Sequence, residues 1–273
     1  GHLLEEIREE FRQYPEIPEY LDMVENDLLA NIDEFKKIHE NDNNGSPFGI
    51  MAPSTGSYLD RLQVNVIIDN SKTQGAPVIV ETNPTYNNLI GRIDRKSHLG
   101  ALITDFTMIK GGAFHRANGG FLIVEAEQIF RKPFGWEALK RTLKNQEINI
   151  TDLSEEYSFV STKTLQPEPI PLNIKIVLIG SPDIYYTLYN MDDEFRELFK
   201  VKADFNVQMK MTKKNIQKYA QFISSRCKEE NLHHFNKDAV ARIVEYGAEL
   251  VGDQTKLSTR FAEVCNLVRE ADY

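Results

Sequence analysis

The feature that most limits what this chain can become is the run Phe121-Leu122-Ile123-Val124, which no polar residue interrupts and which Glu125 closes. It follows a small, flexible Ala117-Asn118-Gly119-Gly120 turn and leads into sequence that turns toward a helix. A strand with one wet face alternates apolar and polar side chains. A run without alternation reads as a strand buried on both faces, central in a parallel sheet covered by helices. A second apolar run, IKIVLI at 174–179, ends at Gly180-Ser181 and predicts another buried strand with a polar exit. Ligands of such sheets bind beyond the carboxyl ends of the strands, which is where Glu125 and Ser181 fall. An acid there can hold a hydrated Mg²⁺ beside the phosphates of a nucleotide. The plainer reading, an ordinary core strand with an acidic exit, stays open on this stretch alone.

The rest of the chain arranges itself around these strands. Two amphipathic helices are expected over 3–14 and 17–39, with Leu4, Ile7, Phe11, Leu21, Val24, Leu28, Leu29, Ile32 and Phe35 at helical spacing and a join or kink at Pro15 and Pro18. The stretch 40–56 is rich in Asn, Gly, Ser and Pro and predicts a loop. Strand-like sequence begins at Arg61 (RLQVNVIIDN) and continues in PVIVETNP, and extended structure resumes over 89–93. The interrupted apolar residues of 91–118, with Gly111-Gly112, suit a projecting loop or set of hairpins. Trp136, Leu139 and Leu143 form the inner face of a helix over 133–146, and EINIT with EYSFVSTKTL reads as a hairpin. Helices at 182–191 and 193–199 and an alternating edge-like strand at 200–208 complete the α/β part. From Thr212, a plausible N-cap, everything reads as helix: 212–230, 236–251 and 258–271. The organisation is therefore N-terminal helices and a loop over 1–60, an α/β part over 61–209, and a helical lid over 210–273.

Composition removes several functional classes. A length of 273 residues suits one large domain or two smaller ones, and a hydrophobic fraction of 41% supplies a core. A net charge of −9 argues against a general nucleic-acid surface while leaving room for a local basic patch. Cys227 and Cys265 lie in helix-like sequence without ligand spacing and read as reduced core residues of a cytoplasmic protein. No apolar segment approaches a membrane span. His115 has no second histidine at ligand spacing, and a structural hydrogen bond is its simpler use; His233-His234 reads as a surface pair. The closing READY stops in mid-helix, which leads us to expect a piece of a longer polypeptide.

Four strings occur in order: PVIVETNPTYNNLIGRI, GGAFHRANGGFLIVEAEQIF, WEALKRTLKNQEINI and KLSTRFAEVCNLVREADY. As an ordered set they resemble the AAA+ region of Lon-like ATP-dependent proteases, in the bacterial branch similar to archaeal-type Lon. The resemblance implies a parallel-sheet core with projecting loops, N-terminal helices and a C-terminal helical lid. It also implies ATP and Mg²⁺ as cofactors of the parent protein, a ring assembly of six subunits, and unfolded protein as substrate. By the same resemblance FLIVEA is the Walker B strand, with Glu125 as the Mg²⁺-assisting acid acting through water. Ser181 stands at sensor 1, Arg260 at sensor 2, and Lys200 or Arg196 at the finger that reaches a neighbouring subunit's nucleotide. Phe106, Met108 and Phe114, in the loops before Walker B, are the candidates for gripping substrate.

The chain also departs from the family pattern. Ala126 stands where a glutamate normally polarises the attacking water, Ser181 replaces the more usual Asn or Thr, and Lys200 lacks the two-pronged fork of arginine. No GxxxxGK[ST] occurs, nor does the Ser-Lys protease dyad, so the chain by itself is expected neither to hydrolyse ATP nor to cut peptides. Three readings follow: a piece of the motor of a Lon-like serine endopeptidase, a nucleotide-independent scaffold or gate of such a protease, and an AAA+ motor acting on DNA.

Overall fold

The computed structural model describes residues 2–33, 62–98, 101–151 and 165–273. It divides into two compact units, Gly1–Leu198 and Phe199–Tyr273.

The first unit opens with helices α1 (His2–Glu10) and α2 (Glu16–Ala30), tied by Arg8, whose guanidinium donates to Asp22 and Glu25. Pro15 caps α2 and Pro18 lies in its first turn, where a missing N–H costs no hydrogen bond. The parallel sheet consists of β1 (Val78–Glu81), β6 (Phe121–Glu125) and β9 (Lys175–Ile179), with β6 in the middle. Between β1 and β6 the chain makes α3 (Tyr86–Ile90), a hairpin base from β2 (Gly91–Ile93) and β5 (Ile109–Gly111), and a second hairpin from β3 (Lys96–His98) and β4 (Ala101–Ile103). A 3₁₀ turn at Phe106–Met108 and α4 (Ala113–Ala117) complete this crossover. The projecting hairpins are thus as expected, whereas 86–90 is helical because Thr85 caps it by accepting from the Asn88 N–H. Between β6 and β9 lie α5 (Ala126–Phe130), α6 (Gly135–Asn145), and the short antiparallel pair β7 (Glu147–Ile148) and β8 (Ile170–Pro171). The expected strand partner EYSFVSTKTL lies, apart from Leu165, outside the described residues; the described partner of β7 is β8.

The expectation of strands buried on both faces needs correcting. Leu122 and Val124 are 0% exposed, but Val80 is 62% and Ile179 54% exposed on the opposite face. The cause is topological. Both crossovers step in the same direction across the sheet, and right-handed connections then lay their helices on one face only. The sequence at 62–70 forms no strand, and neither does 200–207. The unit is closed by α7 (Pro182–Met191) and α8 (Asp193–Leu198). They are fastened to α6 by the buried Lys140 ammonium, which reaches Glu137, Asp192 and Glu194, and by the Trp136 indole N–H, which donates to Asp192 at 2.9 Å.

The second unit holds α9 (Lys213–Glu230), α10 (Lys237–Glu249) and α11 (Phe261–Asp272). Thr212 and Asn236 accept from backbone N–H groups as N-caps, the first as predicted. A short antiparallel pair, β10 (Gln208–Lys210) and β11 (Lys256–Ser258), joins them; the sequence reading assigned part of this to helix. Tyr219, Ile223, Cys227, Ile243, Val244, Leu257, Val264 and Val268 form the core, and both cysteines are free and buried. Among the described residues no helix is long and apolar enough to cross a membrane.

Candidate nucleotide site at the carboxyl end of the sheet

The parallel register sets Glu125 opposite Ile179, so Glu125 and Ser181 leave the sheet at the same end, from adjacent strands. Glu125 belongs to the face that no described helix covers and occupies the N-cap position of α5 without making a side-chain capping bond. Among the described residues its carboxylate has no hydrogen-bond or ion-pair partner. Ser181 caps α7: its Oγ accepts from the Ile184 N–H at 3.4 Å, and Pro182 follows at the first helical position. Among the described residues the Ser181 hydroxyl has no acceptor for its own hydrogen.

Ala126 is buried, and Gly180 abuts it so closely that a Cβ built on Gly180 would lie 3.0 Å from the Ala126 Cβ. The position that holds the water-polarising glutamate in the family pattern is therefore packed here, not open. Glu127, one residue on in the first turn of α5, is exposed.

One acid at this end was missed by sequence reading. Glu81, which closes β1 and pairs in register with Val124, is 9% exposed, accepts from the Asn83 N–H and binds the Arg116 guanidinium at 2.8 Å. The signal was present in VIVE, an apolar strand with an acidic exit like that of β6. This ion pair ties β1 to α4 on the helix-covered side, away from Glu125.

The other predicted residues belong to other elements. Arg260 belongs to the second unit, at the N-cap of α11, with Glu263 as an ion-pair neighbour at 3.6 Å. Arg196 pairs with Asp193 and lies 5.5 Å from the centre of the Tyr189 ring. Lys200 is exposed and has no partner among the described residues. Phe114 is 0% and Met108 5% exposed, so both are packing residues in this structure, against the expectation that they meet substrate. Of the three only Phe106, half-buried in the 3₁₀ turn, presents an edge to solvent. His233 accepts a structural role at the surface, with its ring 2.9 Å from Asp272. No cluster of His, Cys, Asp or Glu able to hold a metal by itself occurs among the described residues.

Residues 74–206 match the family model described as LonB-like, AAA domain, and residues 234–273 match that of the archaeal LonB AAA+ ATPase lid domain. Over these two stretches the chain belongs to the LonB-like AAA+ family. It is 27% identical to the archaeal Lon protease of Archaeoglobus fulgidus, over 78% of this chain and 34% of that protein. Identity to the archaeal Lon protease of Thermoplasma volcanium is 25%, over 76% of this chain and 31% of the relative. The putative Lon protease homolog of Escherichia coli matches at 21% over 55% of this chain and 25% of its own length. The LonB-like chain spans about a third of the length of the two archaeal relatives.

Proposed function

We propose that this chain is part of the AAA+ motor of an ATP-dependent serine endopeptidase of the cytoplasm, which engages unfolded polypeptide and feeds it to an attached Ser-Lys protease domain. The observation that carries this reading is the pairing of Glu125 and Ser181 at the carboxyl ends of adjacent parallel strands, within a chain of the LonB-like family. In this reading Glu125 holds a Mg²⁺-bound water and Ser181 orients water near the terminal phosphate with its free hydroxyl hydrogen. Arg260 contacts phosphate from the lid, and Lys200 or Arg196 reaches the nucleotide of a neighbouring subunit in a six-membered ring. When bound, Mg²⁺–ATP would supply the energy-releasing phosphoryl transfer. Phe106 is the residue left to grip an extended substrate.

A second reading is favoured by Ala126. With the usual position of the catalytic glutamate packed against Gly180, the chain suits a nucleotide-independent gate that admits polypeptide to a protease chamber. The two separate cleanly in the parent protein. Glu125→Gln removes the charge that a hydrated Mg²⁺ needs while preserving shape. Casein degradation that depends on ATP and falls at least tenfold in Glu125→Gln supports the motor. Degradation that ignores both ATP and the substitution selects the gate.

A further inference from the structure

Charge is divided unevenly along this chain. Residues 2–33 carry ten carboxylates and two arginines, a surplus that nearly accounts for the net charge of −9 on the whole chain. They form α1 and α2 with their flanks, and among them only Leu21 is buried. Leu3, Ile7, Phe11, Tyr20, Met23 and Leu29 are all exposed, Leu3 at 75% and Met23 at 59%. Arg8 is engaged inside the pair, on Asp22 and Glu25, so it does little to lower the negative field outside. The helix pair therefore presents apolar side chains set among carboxylates. A second copy of the same surface would repel it, and so would an anionic membrane. What complements it is an exposed apolar surface set among cations.

The second unit supplies such a surface. Over 201–214 four lysines accompany Asp204, and Val201, Phe205 and Val207 are 89%, 88% and 56% exposed. Residues 201–206 lie in neither helix nor strand, and the carbonyls of Asn206 and Val207 fasten the stretch to its unit by accepting from Thr259. Lys210, Lys213 and Lys214 are exposed and have no ion-pair partner among the described residues. Lys213 and Lys214 also open α9, an 18-residue helix with no acid in its first turn. The partial positive charge of a helix N-terminus disfavours cations there, so acids would suit these two positions better on local grounds. Carboxylates brought up from another molecule would offset that mismatch.

We propose that α1 and α2 of one copy of this chain dock against residues 201–214 of a second copy, with their exposed apolar side chains on Val201, Phe205 and Val207 and their carboxylates facing Lys210, Lys213 and Lys214. The two surfaces differ, so the contact is heterologous, and its repetition builds a ring or an open chain of copies. It rests on the ring assembly of the proposed function and names the surfaces that make it, but it draws on neither nucleotide nor proteolysis. A parent that degraded casein without ATP would lose the motor and keep this contact, so the two readings fail separately.

Sedimentation velocity of the 273-residue chain at increasing concentration tests this. Concentration-dependent association is expected, weaker by at least tenfold in about 0.5 M NaCl than in about 0.05 M, because salt screens the facing charges. Glu10→Lys with Glu19→Lys reverses charge on one surface, and Lys213→Glu with Lys214→Glu reverses it on the other. Each double variant alone should associate at least tenfold more weakly. The Lys213→Glu, Lys214→Glu chain should melt no lower than the unsubstituted one, since acids suit a helix N-terminus, so its loss of association is not a loss of fold. Mixed in equal amounts, the two double variants should associate again, each offering the surface that the other lacks. A chain that stays monomeric at every concentration, association indifferent to salt or to either double variant, or double variants that remain apart when mixed would each overturn the proposal.

Discussion

Ala126 shows how much one side chain decides at this site. Restoring the family's glutamate by Ala126→Glu would appear to repair hydrolysis, but the position is 1% exposed and meets Gly180. A carboxylate buried there without a partner costs about 3 kcal/mol or more. The expected result is a variant with a lower urea midpoint and no gain in ATP turnover. A midpoint equal to that of the unsubstituted chain would mean that the strand exit is looser than its packing implies. His115 makes a second prediction. Burial pushes its pKa down to about 4 from 6.5, so the folded chain refuses a proton that the unfolded chain takes up below 6.5. Stability should be complete above about pH 6.5 and decline as the pH falls toward 4, by ~3 kcal/mol at most from this ring. Comparing urea midpoints at pH 7 and pH 5 for the chain and for His115→Gln checks this: the loss between them should be smaller in the variant.

Among the elements, α7 carries two duties at one residue. Ser181 caps the helix through its oxygen, and Ser181→Ala should cost about 1 kcal/mol of stability whatever the nucleotide does. Asparagine caps as well as serine does, so Ser181→Asn should keep the melting temperature of the original. In the motor reading it should also match or raise ATP turnover in the parent. A drop in turnover with unchanged melting would count against Ser181 as a water-orienting residue. The caps at Thr212 and Asn236 lie in the same class of short-range device, and the first was legible in sequence because capping needs only a hydroxyl at the right offset from a helical pattern. The strands expected at 61–70 and 200–208 do not form over 62–70 and 200–207 for the converse reason. Alternation states that a segment could be a strand, but a strand forms only where a partner backbone lies within hydrogen-bonding reach.

For the whole molecule, the sheet face that the described helices leave bare is the main physical fact. Val78, Val80, Phe121, Val177 and Ile179 make an apolar face that no described helix covers. Replacing Val80 and Ile179 together by threonine should therefore raise the solubility of the chain and change its unfolding free energy by less than about 1 kcal/mol. Leu122→Ala, on the other face of the same sheet, should cost ~2–5 kcal/mol by opening a cavity in the core. Denaturant titrations of the two variants distinguish the faces directly; equal losses would show that both are packed.

The sequence by itself determined the class of fold, the central parallel strand, the projecting hairpins, the helical lid and the ordered strings that mark a LonB-like chain, because periodicity, capping and motif order are local properties. Only the tertiary structure decided that the described helices cover one face of the sheet, that Phe114 and Met108 are core, that Ala126 is packed against Gly180, and that the His115 ring is buried. Each of these depends on which distant segment comes to lie against a residue, and the direction of the crossovers sets that, not the residue's own neighbours in the chain.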